Sequence, residues 1–191
     1  MTRRLIASGL FVFAASALVL SSAPTWAADS RFSQSITDLP LSSLRQDQYS
    51  DAIDAYAAQG QCQKALDVAD LGLRKNPKSA QLKFQRCVVL EKMGDTVQAK
   101  AELERFICLY PEIPEGYNNL AALLSREGDL DAAETYLKRA LAFRPKFRQA
   151  HVNLGNLYLA RAKAAYETAQ SLISDKTVKA RLDGVNALLA R

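Results

Sequence analysis

The chain has little of the chemistry that catalytic and metal sites need. Its 191 residues include one histidine, His151, and three cysteines, Cys62, Cys87 and Cys108. The cysteine spacings match no zinc pattern, and a single histidine cannot complete a ligand cluster. The sequence also lacks a phosphate-binding loop and a dinucleotide-binding glycine motif. We therefore expect no enzyme activity, no catalytic residues, no metal site and no cofactor.

A strong excess of one charge sign is also missing. The formal net charge is +5 at pH 7, which is mild for this length. Basic residues gather between positions 138 and 148, but acidic residues are scattered along the chain. Proteins that bind nucleic acid usually show a one-faced basic stripe with interleaved aromatic residues. We expect no nucleic-acid partner.

One long hydrophobic run lies at the N-terminus. Leu5–Leu20 is uncharged and mostly apolar, and it follows two arginines. Thr25 and Ala27 then place small side chains at the −3 and −1 positions of a cut after Ala27. This arrangement predicts a signal peptide over residues 1–27 and a periplasmic protein that does not insert in the membrane after cleavage. The alternative is an inner-membrane anchor over residues 5–23, although its apolar run is short of the ~20 residues that a span needs.

Three residue types recur in one phase at an interval of 34 positions. The recurring residues are the glycines Gly60, Gly94 and Gly128, the alanines Ala65, Ala99 and Ala133, and the prolines Pro77, Pro111 and Pro145. A 34-residue period in a chain rich in alanine and leucine is typical of stacked helix-turn-helix repeats. The sequence therefore predicts an all-α repeat array.

Residues 114–147 show the repeat most clearly. The first predicted helix has an apolar face made of Tyr117, Leu120, Ala121 and Leu124. Gly128 ends this helix, because glycine adopts the left-handed conformation that closes a C-terminus. The second predicted helix presents Leu130, Ala133, Leu137, Ala140 and Leu141. Alanine at the crossing of the two helices lets their backbones approach closely.

At these positions the chain resembles the tetratricopeptide repeat family. The resemblance implies a right-handed superhelical array with repeats at Gln46–Ser79, Ala80–Ile113 and Pro114–Phe147, and a degenerate repeat over residues 148–173. The fourth repeat lacks a glycine to close its first helix. Phe106 departs from the pattern at a position that is usually small. His151 occupies a position that normally faces the core.

Two segments flank the predicted array. Residues 28–45 are polar and are predicted to form a linker. Residues 174–191 are predicted to form a final helix, with Ser174 or Asp175 as its N-cap. Its apolar stripe consists of Val178, Leu182, Val185 and Leu189. Repeat arrays need an element that covers the last apolar face, so this helix is expected to cap the array. The alternative is a surface for self-association.

The odd number of cysteines leaves at least one thiol unpaired within the chain. Cys62 and Cys87 lie on helices that should pack side by side, about one helical turn out of line, so the sequence leaves a disulfide between them open. Cys108 lies too far along its helix to meet either. The alternative for Cys87 is packing as a small buried residue.

In the resembled family, the first helix of each repeat lines a concave groove that binds partners. Carried over to this sequence, the resemblance predicts partner contacts from Phe84, Gln85, Val88, Asn118, Asn119, Ala122, Arg126, Gln149, Val152, Asn153 and Asn156. Some relatives hold a C-terminal carboxylate with lysine and arginine at groove positions. Here those positions hold Ser50, Asp54, Gln85, Glu115 and Asn119, none of them basic, so a carboxylate is expected to be repelled.

Amides recur at one position of consecutive repeats, in Gln85, Asn119 and Asn153. A side-chain amide both donates and accepts hydrogen bonds, so a series of them could pair with an extended peptide backbone. The alternative is that these amides are simply common at this position in the family.

These observations together predict a protein–protein interaction module. We expect an adaptor or scaffold of the bacterial cell envelope that holds an extended peptide segment of a partner protein, whose identity the sequence does not reveal. One alternative is a chaperone-like carrier of apolar segments, with Phe84 and Val88 as its contact surface. The other is a component that self-associates, as a homo-oligomer, through the C-terminal helix.

Overall fold

A computed structural model describes residues 36–190, and this part of the chain is built from helices. The predicted signal peptide lies outside the described residues. The helices are α1 (Tyr49–Ala58), α2 (Cys62–Lys75), α3 (Ala80–Met93), α4 (Thr96–Leu109), α5 (Pro114–Glu127), α6 (Leu130–Phe143), α7 (Arg148–Leu172) and α8 (Lys176–Leu189). Short 3-10 turns at Leu41–Ser43 and Gln46–Gln48 precede α1. Within the described part, no helix combines the length and apolar character needed to cross a membrane.

The helices follow the 34-residue phase of the sequence. Helices α3, α5 and α7 begin at Ala80, Pro114 and Arg148, which are the first residues of the predicted repeats. The three repeating glycines all have positive φ angles, of 73° at Gly60, 82° at Gly94 and 87° at Gly128. Each therefore closes a helix in the left-handed conformation, and the predicted helical repeat array is confirmed.

The turn after two of these glycines also starts the next helix. The Asp95 side chain accepts a hydrogen bond from the Gln98 backbone N–H at 3.1 Å. The Asp129 side chain accepts one from the Ala132 backbone N–H at 3.0 Å. Because aspartate satisfies an otherwise unpaired N–H at a helix start, the Gly-Asp pair both ends one helix and begins the next.

Small residues lie where the helices cross. Ala65, Ala99, Ala133 and Ala140 are fully buried, as the repeat pattern predicts. Phe106, which departs from that pattern, is buried as well. Gly116 makes room for it, because a Cβ added there would lie 2.7 Å from Phe106 Cδ1. The large residue of one repeat is thus accommodated by a missing side chain in the next.

The predicted linker is packed over its described part. Ile36 and Leu44 are buried in the same core cluster as α1. The Tyr56 hydroxyl donates a hydrogen bond to the Thr37 carbonyl at 3.1 Å. The prediction of a linker over residues 28–45 therefore needs correction from Ile36 onward. The polar, serine-rich composition of this segment did not indicate that Ile36 and Leu44 pack into the core.

The predicted degenerate repeat over residues 148–173 is one continuous helix. Helix α7 has 25 residues, because Ala162 stands where the 34-residue phase would place the closing glycine and no proline lies between Arg148 and Leu172. A three-residue connection then turns the chain, so α8 packs back along α7 as an antiparallel neighbour. Residues 148–173 therefore do not contain a helix pair. The fourth unit consists of the long helix α7 and the separate helix α8 that follows it.

Because the second helix of the fourth unit begins only at Lys176, His151 is exposed, although it was predicted to face the core. In the third repeat the equivalent Tyr117 stacks on Phe143 of its own second helix, with ring centroids 5.7 Å apart. In the fourth unit, α8 lies against the later part of α7 and does not cover His151. The His151 ring is exposed, and its Nε2 lies 2.8 Å from the Pro145 carbonyl oxygen.

Helix α8 begins at the predicted cap. Asp175 accepts hydrogen bonds from the backbone N–H groups of Thr177 and Val178, at 2.6 and 3.0 Å. The stripe residues Val178, Leu182 and Val185 are half-buried, and Leu189 is exposed. No residue of α8 is fully buried. At the tip of this hairpin, the Leu172 side chain is 77% exposed.

All three cysteines are free thiols in the structure. Cys87 is buried, as the packing alternative predicted, and burial raises the pKa of its thiol to about 12. Cys62 is half-buried and Cys108 is exposed. The thiolate is the reactive form of cysteine, so Cys87 is inert at neutral pH.

Glu134 on α6 connects the third repeat to α7. Its carboxylate pairs with Lys138 at 2.8 Å and Arg161 at 2.5 Å, and it accepts a hydrogen bond from the Tyr158 hydroxyl at 2.9 Å. Hydrogen bonds from Lys138, Tyr158 and Arg161 lower the pKa of Glu134 from 4.5 to about 2. The carboxylate thus stays ionised in acid that would protonate an isolated glutamate.

The pH dependence of stability follows from this depressed pKa. The contribution of Glu134 is fully present above pH 4.5, its unfolded value, and is lost as the pH falls toward about 2. We expect Glu134→Gln to reduce the free energy of unfolding at neutral pH, and the difference from wild type to shrink as the pH falls through this window. Urea unfolding of both proteins at a series of pH values measures this difference in the free energy of unfolding.

Glu112→Gln is the matched control, because Glu112 is an exposed glutamate in the turn after α4. We expect it to follow the wild-type profile. A constant difference between Glu134→Gln and wild type across the acidic range would contradict the assignment.

Candidate partner-binding surface

The first helices of successive repeats lie side by side. Polar side chains bridge each neighbouring pair: Gln85 of α3 contacts α1, Arg126 of α5 pairs with Glu91 of α3 at 2.7 Å, and Asn153 of α7 contacts Asn118 of α5. We call the solvent-facing side of the first helices, which are α1, α3, α5 and the first half of α7, the first-helix surface. It runs the length of the described array and carries most of the residues predicted to contact a partner.

Gln85 lies beneath this surface. Its side chain is 5% exposed, and its Nε2 donates to the Ser50 carbonyl at 3.0 Å and to Asp54 Oδ1 at 2.9 Å. The sequence predicted a partner contact here, and the structure instead uses the amide to join α3 to α1. The Gln85 Oε1 atom is buried, and no group of residues 36–190 donates a hydrogen bond to it.

Four amides form a continuous hydrogen-bonded chain across α7 and α5. Gln149 Nε2 donates to Asn153 Oδ1 at 3.1 Å, and Asn153 Nδ2 donates to Asn118 Oδ1 at 2.9 Å. Asn118 Nδ2 then donates to Asn119 Oδ1 at 3.2 Å. Because every amide donates in the same direction, the bonds polarise one another. Within the described residues, the Asn119 amide N–H groups and the Gln149 Oε1 atom remain as the free ends of this chain.

The amide chain changes the role of two predicted residues. Asn118 is 5% exposed, so it supports its neighbours and cannot meet a partner directly. Asn153 holds Asn118 through their hydrogen bond and is half-buried. Asn119 and Gln149 are also half-buried, and Asn156 is exposed one turn beyond Asn153.

The apolar part of the surface lies at Val152. This side chain is 44% exposed, whereas Val88 and Ala122 are half-buried. The Phe84 ring lies 5.5 Å from the Phe106 ring and packs against the core cluster. Phe84 and Val88 therefore do not form the open apolar surface that the carrier alternative requires.

Most charges next to the surface are paired. Arg126 pairs with Glu91, and Arg144 pairs with Glu115 at 2.5 Å. Asp51 and Asp54 on α1 form no salt bridge among the described residues, and Lys92 on α3 lies close enough to interact electrostatically with Asp54. Desolvation raises the pKa of Asp54, and desolvation together with repulsion from Asp54 and Asp47 raises the pKa of Asp51. Over the part of the chain that the structure describes, no histidine, cysteine and carboxylate group is arranged to hold a metal ion.

Comparison with known proteins supports the tetratricopeptide repeat family. Residues 114–147 match the family model described as tetratricopeptide repeat. These residues are the third repeat, α5 with α6, where the sequence pattern is clearest. No enzyme family is indicated by this match or by the solved structures that resemble the fold.

Several solved structures share the architecture. A thermophilic TPR protein of Thermus thermophilus matches with a TM-score of 0.57 at 26% identity, over 68% of this chain and 71% of that chain. The first TPR domain of the human RPAP3 protein matches with a TM-score of 0.57 at 19% identity, over 61% of this chain and 92% of that chain. The first TPR of Spaghetti (RPAP3), bound to the HSP90 peptide SRMEEVD, matches with a TM-score of 0.56 at 19% identity, over 61% and 93%. The fold is thus a TPR-like helical repeat array.

Proposed function

We propose that this protein is an interaction module of the bacterial cell envelope that holds an extended peptide segment of a partner on its first-helix surface. The observation that carries the proposal is the amide chain from Gln149 to Asn119, which has free donor and acceptor ends within the described residues and shares α7 with the exposed Val152. An extended peptide offers alternating backbone N–H and C=O groups that such ends can pair with. Stacked helix pairs use surfaces of this kind for extended ligands.

The bound peptide differs in charge from the one seen on a structural neighbour. The peptide SRMEEVD on Spaghetti (RPAP3) has two glutamates and a terminal aspartate. The first-helix surface here carries Asp51 and Asp54, which form no salt bridge within the described residues, and its arginine Arg126 is already paired with Glu91. An acidic peptide would therefore meet like charges at the α1 end, and we do not expect this class of ligand.

The N-terminal sequence supports the envelope location. An arginine pair, an apolar run over Leu5–Leu20 and small residues up to Ala27 are the features of an exported protein. Mass spectrometry of the protein recovered from an envelope fraction tests this part of the proposal. A chain that begins at Ala28 supports export with cleavage, and a chain that retains residues 1–27 contradicts it.

A charge placed in the middle of the first-helix surface should block binding. We expect Val152→Glu to abolish capture of the partner from an envelope extract, because the new carboxylate is desolvated by a bound peptide. The fold should survive, since Val152 is exposed. Affinity capture with the chain Ala28–Arg191 as bait, followed by quantitative mass spectrometry, measures the loss.

Val97→Glu is the matched control. Val97 is 81% exposed on α4, a second helix, so the same substitution leaves the first-helix surface intact. The proposal predicts one protein captured equally by wild type and Val97→Glu and lost by Val152→Glu. Equal capture by all three baits would place the binding site elsewhere.

A second candidate function is self-association through the α7–α8 hairpin. It is favoured by exposed apolar side chains at both ends of α8, where Leu172 and Ile173 lie at the turn before the helix and Leu188 and Leu189 lie at its C-terminal end. Light scattering of the purified chain distinguishes the two functions. A monomer at micromolar concentration excludes self-association as the main role.

A further inference from the structure

We infer that one edge of the array binds the surface of an anionic phospholipid bilayer. This edge consists of the C-terminal ends of the second helices α2, α4 and α6 together with the turns that follow them, and we call it the inter-repeat edge. The inference goes beyond the proposed peptide binding, because the residues that carry it do not belong to the first-helix surface.

The turns that follow the second helices lie next to one another. The Tyr110 hydroxyl, at the end of α4, donates a hydrogen bond to the Lys78 carbonyl, in the turn after α2, at 2.8 Å. Arg144, at the end of α6, pairs at 2.5 Å with Glu115 in the first turn of α5, which directly follows the turn after α4. Side chains from three repeats therefore lie along one edge and can contact one extended target.

Two large apolar side chains project from this edge at the same place in consecutive repeats. Leu109 on α4 is 59% exposed and Phe143 on α6 is 50% exposed, and the two residues are one 34-residue period apart. The Phe143 ring stacks on the buried Tyr117, with ring centroids 5.7 Å apart, so its position at the surface is fixed. Scattered exposed apolar residues need no explanation, but apolar residues that share one repeat position indicate a contact surface.

Basic side chains accompany these two apolar residues. Arg105 and Arg139 lie one helical turn before Leu109 and Phe143, on the same faces of α4 and α6. Within residues 36–190, no salt bridge involves the exposed basic residues of the edge, which are Arg74, Lys75, Lys78, Arg105, Arg139 and Lys146.

The surroundings of these cations leave the edge with an excess of positive charge. Lys75 and Arg139 lie over the rings of Tyr49 and Tyr117, at 5.6 and 6.0 Å from the ring centroids, and a ring brings no carboxylate to them. The exposed carboxylates nearby in the sequence are Glu104 and Glu112. They are fewer than the cations without a salt bridge, so a negatively charged surface is attracted to this edge.

The combination of charge and apolar side chains fits an anionic bilayer. Lipid phosphates offer negative charge to the arginines and lysines, and the boundary with the acyl chains accepts Leu109 and Phe143. The long stems of arginine and lysine also lie well along an apolar boundary while their charged ends stay in water. An acidic polypeptide would match the charges but would leave Leu109 and Phe143 in water.

Co-sedimentation with lipid vesicles tests the inference. The chain Ala28–Arg191 is used, because the apolar residues of the predicted signal peptide would bind vesicles by themselves. We expect it to bind vesicles of phosphatidylglycerol mixed with phosphatidylcholine, to leave vesicles of phosphatidylcholine alone unbound, and to dissociate as salt is added. Arg105→Gln/Arg139→Gln should bind the anionic vesicles about tenfold more weakly.

Two controls separate this edge from general charge and from general exposure of apolar side chains. Lys176→Gln/Lys179→Gln removes two exposed cations from α8 and should bind as wild type does. Leu109→Ser should weaken binding at constant charge, whereas Val97→Ser, at the opposite end of α4, should not. If loss of Arg139 lowers the melting temperature, Arg105→Gln/Lys146→Gln tests the same edge without changing the contact with Tyr117.

The outcomes also distinguish a bilayer from an acidic protein. Absence of vesicle binding, equal binding to the two kinds of vesicle, or wild-type binding by Arg105→Gln/Arg139→Gln overturns the inference. Binding of a polyglutamate peptide without binding of vesicles overturns it as well and assigns the edge to an acidic protein partner. Partner capture by the first-helix surface is tested separately by Val152→Glu, so either result can fail without the other.

Discussion

Ala133→Phe is expected to lower the free energy of unfolding by about 3 kcal/mol, the upper end of the usual cost of overpacking a core. Ala133 is fully buried on α6, at the crossing with α5. Because a well-packed interior leaves no free volume for a phenyl ring, the ring must push the two helices apart or take a strained rotamer. Urea unfolding followed by circular dichroism measures the change, with the slope of the transition expected to stay the same.

The control for this variant lies on the same helix. Ala142 is exposed near the end of α6, so Ala142→Phe adds the same side chain without entering the core. We expect a change within about 0.5 kcal/mol, as for most surface substitutions. If Ala133→Phe unfolded at the wild-type urea concentration, the helix crossing described here would be wrong.

Leu120→Ala is expected to cost about 3 kcal/mol, within the ~2–5 kcal/mol typical of a buried leucine truncated to alanine. Leu120 is fully buried in the middle of α5, within the larger core cluster. Removing its branched end loses the transfer free energy of the missing carbons, and the rigid helices around it leave a cavity. Thermal and urea unfolding should both report the loss.

Leu109→Ala removes the same atoms from a surface position and serves as its comparison. Leu109 is 59% exposed at the end of α4. Its substitution should change stability little, because most of this side chain is already in water. Equal losses in the two variants would contradict the buried position of Leu120.

Most of the fold could be predicted from the sequence because local signals and packing agree. Through the first three repeats, a glycine closes the first helix and an alanine lies at the helix crossing, each at 34-residue spacing and each with a single structural role. The prediction failed where the pattern itself faded. Without a glycine after the first helix of the fourth unit, α7 continued to Leu172, and only the structure reveals where its partner helix lies. The burial of Ile36 was also missed, because this residue lies in a polar segment outside the periodic pattern.

The candidate site was less predictable. Helical position indicates which residues approach the first-helix surface, but it does not distinguish an amide that meets a partner from one that joins two helices. Gln85 and Asn118 are joined to neighbouring helices by hydrogen bonds to Asp54 and Asn153, residues 31 and 35 positions away. Such pairings depend on the distance between helices in space. The periodic pattern leaves that distance undetermined.

The α5–α7 part of the first-helix surface offers polarised amide ends and the exposed Val152. Under the proposed function, the backbone of the bound segment would follow the amide chain from Gln149 to Asn119.

The most direct test of peptide binding on the first-helix surface is the change in backbone amide NMR signals when a peptide segment of the captured partner is added. We predict that the largest shifts cluster at Asn119, Val152 and Asn156, with little change in α2, α4 and α6. Shifts confined to α8 and the end of α7, or to the second helices, would contradict it.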